Sequence, residues 1–257
     1  MGGIKRCLIL LSVCLGLFSA TVWSQEATLK RVLFVGNSYL YYNDSLHNHV
    51  KRMASEAHPG TRPSDFQYKS STLSGSRLTH HNMDWLLKPG RIGVERPFQV
   101  VILQGGSAEP LSETSRQTFK ATAKTYADKI RAIGAKPMLY MTHAYVPPHR
   151  RADPSMIDLV SKTYMEAGDM VDAEVIPVGL AYARSHKERP DFLLHADFDG
   201  THPNLRGTYL GACVVYLTLY GGDISGLDYD YYGRLPEAEA AYLRRIAQET
   251  VTAFDAS

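Results

Sequence analysis

Four short runs of this chain are apolar almost without interruption: "RVLFVG" at 31–36, "FQVVILQG" at 98–105, "KPMLYMTH" at 136–143 and "AEVIPVG" at 173–179. A strand that is apolar on successive residues has both of its faces buried, the condition of a parallel sheet covered by helices on both sides. The segments between the runs are patterned to supply those helices. Asp44 to Ala57 predicts a helix with Asp44 as N-cap and Leu46, Val50, Met53 and Ala57 along one face. Ser112 to Ile133 and Pro154 to Val171 predict two more, and 203–221 and 235–254 read as closing helices. "FQYKSSTL" (66–73) alternates, so it predicts a strand with one wet side. Strands separated by helices in this rhythm imply right-handed crossovers and an α/β fold.

The first residues do not fit this pattern. "MGGIKRCLILLSVCLGLFSATVWSQ" places Lys5 and Arg6 ahead of an apolar run from Cys7 to Phe18 and then small residues, the layout of a secretory signal. The run is short for a bilayer span, which takes about 20 apolar residues. The expectation is therefore a signal peptide over 1–24, cleaved before Gln25, and one domain over 25–257 in the periplasm or outside the cell. Cleavage leaves 26 basic residues against 26 acidic ones, so charge gives no case for nucleic acid or an anionic membrane as partner. Cys7 and Cys14 depart with the signal, and Cys213, in the apolar run "LGACVVYLTLYG", reads as a buried small hydrophobe.

Ser38 follows the first apolar run, in "VGNSYL". In open α/β sheets ligands bind outside the carboxyl ends of the strands, so this hydroxyl sits at the mouth of any site the fold has. On that stretch alone a turn cap is the better reading. The far end of the chain changes the weighing. In "DGTHPN", Asp199 precedes His202 by three residues across a glycine turn, close enough to hold the imidazole Nδ1 and leave Nε2 to take a proton. Pro203 then falls where it can begin a helix. An oriented base and a serine at a strand end are complementary halves of one nucleophilic site.

"FVGNSYL", the glycine in "STLSGSRLTHH", "VVILQGGS" and "DGTHPN", in that order, resemble the SGNH (GDSL-type) hydrolase superfamily of esterases and lipases. The resemblance spans essentially the whole chain after residue 24. It implies a three-layer α/β/α sandwich on a flavodoxin-like, parallel five-stranded sheet, and a metal-free, cofactor-free serine ester hydrolase. Carried over residue by residue, it implies Ser38 as nucleophile, His202 as base and Asp199 as the residue orienting it. The oxyanion site it implies comprises the N–H of Ser38, the N–H of Gly75 and an Asn side chain after the third strand. The sequence departs from the family pattern at that last member, with Ser107 in the Asn position, so either Ser107 or Gln104 is expected to donate in its place. Asn37 stands where many members have Asp.

The remaining polar candidates are weaker. His80 and His81 read as loop surface near Gly75, and His143, ending the fourth strand in "KPMLYMTH", reads as a pocket wall touching substrate. Tyr39 and the other tyrosines of "SYLYYND" and "LDYDYYG" can stack on sugar rings at a cleft rim. No HExxH or close Cys/His spacing suggests zinc, and "VGNSYL" lacks the composition of a phosphate loop. Three readings follow: an exported esterase for acetylated carbohydrate or another small acyl ester, a polysaccharide O-acetyltransferase using the same three residues, and a non-catalytic glycan-binding module.

Overall fold

The computed structural model describes residues 29–256; the expected signal over 1–24 lies outside them. Among the described residues no helix is long and apolar enough to cross a membrane. Five parallel strands form one sheet: β1 (Arg31–Gly36), β2 (Gln67–Thr72), β3 (Val100–Leu103), β4 (Lys136–Tyr140) and β5 (Glu174–Ile176), in the order β2-β1-β3-β4-β5. The helices are α1 (Ser38–Tyr41), α2 (Leu46–Ala57), α3 (Met83–Leu86), α4 (Glu113–Ala132), α5 (Met156–Val171), α6 (Val178–Glu188), α7 (Leu205–Tyr220) and α8 (Glu237–Asp255).

The unbroken apolar runs are explained by the two cores they feed. Val32, Phe34, Val100, Ile102, Met138, Tyr140 and Ile176 point to a core shared with α2, α6, α7 and α8. Their neighbours Leu33, Val35, Val101, Leu103, Leu139 and Val175 point the other way, to a core shared with α3, α4 and α5. This is the three-layer α/β/α sandwich, with the five-stranded flavodoxin-like strand order. Helix α7 is apolar on every side because α2, α8 and the sheet surround it, and 11 of its residues are buried. Cys213 lies there fully buried, and burial pushes its thiol up to about 12, so it is a packing residue with no thiolate to offer.

Several boundaries move. Helix α2 begins at Leu46 rather than Asp44: Asn43, Asp44 and Ser45 all have positive φ, and the Asp44 carboxylate is spent on Arg52 (2.7 Å) instead of on a cap. Ala57, expected on the buried face, is exposed, and His49 takes a buried place on that helix. The run at 173–179 yields only a three-residue strand, since Pro177 ends it and caps an unforeseen helix, α6. Helix α7 starts two residues after Pro203, capped by Asn204, whose side chain accepts from the Gly207 N–H (3.1 Å).

The strand order places a topological switch at β1. The chain leaves β1 for β2 on one side and returns to β3 on the other. The carboxyl ends of β1 and β3 therefore open into a crevice that no crossover covers, and the segments after both strands meet there.

Candidate active site

The turn after β1 is held from three directions. Gly36 is required because a Cβ there would run into the Gln104 side chain. The Asn37 N–H donates to Gln104 Oε1 (2.9 Å), its Nδ2 donates to the Ser76 carbonyl (3.1 Å), and its Oδ1 accepts from the Tyr39 N–H (3.1 Å) as the cap of α1. Ser76 Oγ donates in turn to the Gly36 carbonyl (3.2 Å) and accepts from His81 Nε2 (3.2 Å). The segments following β1, β2 and β3 are thus bonded to one another around Ser38, the first residue of α1 and only 6% exposed.

The second half of the site comes from the loop before α7. Gly200 takes φ +65°, and a Cβ there would strike the Val146 carbonyl, so the turn needs glycine. The turn brings Asp199 Oδ1 under the N–H groups of Thr201 (2.9 Å) and His202 (3.0 Å), while Oδ2 accepts from His202 Nδ1 (2.5 Å). Burial works to raise the Asp199 carboxyl, but the bond from the His202 ring and the two backbone N–H groups outweigh it and hold it below the usual carboxylate value. With the proton on Nδ1, His202 Nε2 accepts from Ser38 Oγ at 2.8 Å. Tyr42 stacks on the imidazole at 4.4 Å and 14°, and Tyr39 meets it edge-on at 6.0 Å.

Thr201, between the acid and the base, is clamped from below. Tyr39 and Thr201 share a hydroxyl–hydroxyl bond of 2.5 Å, and His143 Nε2 donates to the Thr201 carbonyl (2.7 Å). The His143 ring lies between Tyr39 and Tyr182, 4.2 Å from each. Burial, with His195 adding to it, holds this imidazole well below its ordinary value, so it stays neutral. His143 is 1% exposed and does not reach the cavity. The expectation of a pocket wall in contact with substrate gives way to a buried support, because the ring is inserted beneath the loop rather than beside it.

Ser38 and His202 open into a cavity of about 430 Å³ whose wall includes Tyr39, Gly75, Arg77, Ser107, Tyr145 and His149. The backbone N–H groups of Ser38 and Gly75 have no hydrogen-bond partner among the described residues, and Gly75 takes φ +63°, which favours glycine. Ser107 lines the cavity, and its Oγ accepts from Tyr145 OH (2.9 Å), with the Tyr39 hydroxyl also within reach. Gln104 does not line it. At 1% exposed, its amide accepts from Asn37 and donates to the Gly105 carbonyl, so the structure withdraws it from the place an oxyanion donor would occupy. Of the loop histidines, His80 is exposed and His81 is buried behind Ser76, its carbonyl accepting from Tyr126 OH (2.6 Å). Tyr42, one of the tyrosines of "SYLYYND", stacks on the base itself, and Thr201, Glu109 and Tyr145 join the site without having been singled out in the sequence. Only the position of Tyr145 just after the third apolar run pointed toward them.

No protein-family model matches the sequence, and no curated protein matches it either. Solved structures do. A DUF4886 family protein from Bacteroides uniformis is 15% identical over 87% of this chain and 95% of its own, with a TM-score of 0.66. A proposed SGNH hydrolase from Slackia heliotrinireducens is 18% identical over 74% and 98%, with a TM-score of 0.58. The chain has the SGNH hydrolase fold. An acetyl xylan esterase from Geobacillus stearothermophilus shares it at a TM-score of 0.57 and 13% identity, over 76% of this chain and 96% of its own. In the SGNH fold as this chain builds it, the switch-point crevice is where Ser38, His202 and Asp199 converge.

Proposed function

We propose that the protein is a serine ester hydrolase acting on a small acyl group carried by a carbohydrate or a similar polar alcohol. The observation that carries this reading is the continuous chain from Ser38 Oγ through His202 to Asp199, opening beside two backbone N–H donors that have no partner among the described residues. Ser38 attacks the acyl carbonyl as its proton passes to His202 Nε2. The oxygen that becomes negative accepts from the N–H groups of Ser38 and Gly75 and from Ser107 O–H. His202 returns the proton to the departing alcohol, and water attacks the acyl-enzyme with His202 again as base. The modest volume of the cavity and its Ser, Arg, Glu and His lining support a short acyl group and a polar alcohol over a long aliphatic chain. The likeness to an acetyl xylan esterase supports a carbohydrate ester.

Export supplies the setting in which such substrates are met, and N-terminal sequencing of the secreted protein at Gln25 tests it. The activity is tested with p-nitrophenyl esters from acetate to decanoate beside acetylated glycans. Turnover is expected to peak at the shortest acyl groups and to fall about 10⁴-fold or more in Ser38→Ala. Binding of acetylated glycan with no hydrolysis by the wild type would favour a glycan-binding module instead.

A further inference from the structure

After β3 the chain runs Gly105-Gly106-Ser107-Ala108-Glu109-Pro110 and turns back toward α4. Two successive glycines give this segment more backbone freedom than any other pair of residues would. Ser107, just beyond them, is read as meeting a charge that forms only in the transition state, and such an interaction depends on donors fixed beforehand. Three side chains remove the freedom. Tyr164 OH accepts from the Gly105 N–H (3.1 Å), Tyr145 OH donates to Ser107 Oγ (2.9 Å), and Glu109 holds Gly106.

Glu109 holds it twice. Its N–H donates to the Gly106 carbonyl (2.9 Å), and its side chain folds back so that Oε2 accepts from the Gly106 N–H (2.5 Å). One residue thereby grips the peptide on each side of Gly106, and the second of those peptides carries Ser107. The glycines make room for the carboxyl group: a Cβ on Gly105 would lie 2.9 Å from Glu109 Oε2, and one on Gly106 would lie 3.4 Å from it and 3.3 Å from the Ser76 carbonyl.

Closing a turn does not need so costly a group. Exposed Asp153 and Asp223 hold the N–H groups of Ser155 and Ser225 (2.8 Å each) in turns at the surface. Glu109 lines the cavity yet is only 2% exposed, and its Oε1 is buried with no hydrogen bond among the described residues. A buried group with one oxygen unmatched is a local cost of the kind folds carry at functional sites. Burial raises the Glu109 carboxyl, against the N–H groups of Gly106 and Leu78 and the charges of Arg77 and His80. Oε2 can accept from Gly106 in either protonation state, so a glutamine amide can take over that bond.

We infer that Glu109 is a positioning residue: its grip on Gly106 holds the Ser107 hydroxyl where it meets the acyl oxygen as that oxygen becomes negative. The inference rests on the reading of Ser107 as an oxyanion donor, and the experiment separates the two. kcat and KM on p-nitrophenyl acetate are measured for Ser107→Ala, Glu109→Ala, Glu109→Gln and the double variant Ser107→Ala, Glu109→Ala, each shown to be folded by circular dichroism. Glu109→Ala is expected to lower kcat by about 10²-fold with KM little changed, the loss that a misplacement of about 1 Å produces. Glu109→Gln should recover most of it. In the Ser107→Ala background the loss of Glu109 should cost hardly anything further, since no hydroxyl is left to position. Glu109→Asp, one methylene short of the Gly106 N–H, takes the place of Glu109→Ala in the cycle should that variant fail to fold. Losses that multiply in the double variant, a rise in KM in place of the fall in kcat, or a glutamine variant no better than alanine overturns this inference alone. Full turnover by Ser107→Ala removes the oxyanion role of Ser107 and this inference with it, and a wild type that hydrolyses no ester sinks the esterase reading and both.

Discussion

The hydroxyl of Ser107 stands in the cavity wall with Tyr145 donating to its oxygen, while the amide of Gln104 lies behind the wall with both ends engaged. The two residues therefore fail differently when removed. Ser107→Ala should lower kcat by about 10²–10³ with KM little changed, the mark of an interaction made in the transition state. Gln104→Ala strips partners from the buried Asn37 N–H and Gly105 carbonyl and should cost about 1–3 kcal/mol of stability. Steady-state kinetics beside urea denaturation distinguishes them; a large kcat loss in Gln104→Ala at unchanged stability would reverse the assignment. At this scale, the pairing of Asp199 with His202 was legible because it is local, three residues across a glycine turn. The placement of Gln104 was not, because its amide lands where the register of β1 against β3 puts it. The seat of His143 was hidden for a similar reason: its two flanking rings, Tyr39 and Tyr182, come from helices distant in the chain.

The elements that the sequence announced are those fixed by burial on both faces, β1, β3 and β4, and a helix with an effective cap, α4 behind Ser112. Where tertiary contacts set the backbone, the local pattern misleads. The corner between α1 and α2 runs through three successive non-glycine residues with positive φ, a conformation that local preference disfavours and that persists only when its surroundings hold it. Asn43 supplies much of that hold. Its Nδ2 donates to the Pro203 carbonyl (3.0 Å) and to Thr208 Oγ1 (2.8 Å), and its own carbonyl accepts from His49 Nε2 (2.7 Å). It thereby ties the corner after Ser38 to the start of α7, one residue past His202. Asn43→Ala should cost about 1–3 kcal/mol in chemical denaturation, and lower kcat more than it raises KM, since it loosens one half of the site against the other. A variant with normal stability and kinetics would remove Asn43 from this role.

Over the whole molecule, burial keeps several histidines neutral. Burial holds His47 and His195 down at about 4, and burial also lowers His49, His81 and His143. Each folded value lies below the unfolded one, so the unfolded chain binds more protons between the two and stability falls as pH drops. The melting temperature should hold above the ordinary histidine value, about 6.5, and decline steadily from there toward pH 4; a flat profile across that window would contradict it. Also at this scale, the fold brings together two groups 164 positions apart, Ser38 and His202. If they act as one unit, either loss removes the other's purpose, and a double-mutant cycle reads this directly. Ser38→Ala and His202→Ala should each lower kcat/KM on a short-chain ester by about 10⁴-fold or more, with the double variant hardly worse than either. Near-normal hydrolysis by Ser38→Ala, or single losses that multiply in the double variant, would contradict the account.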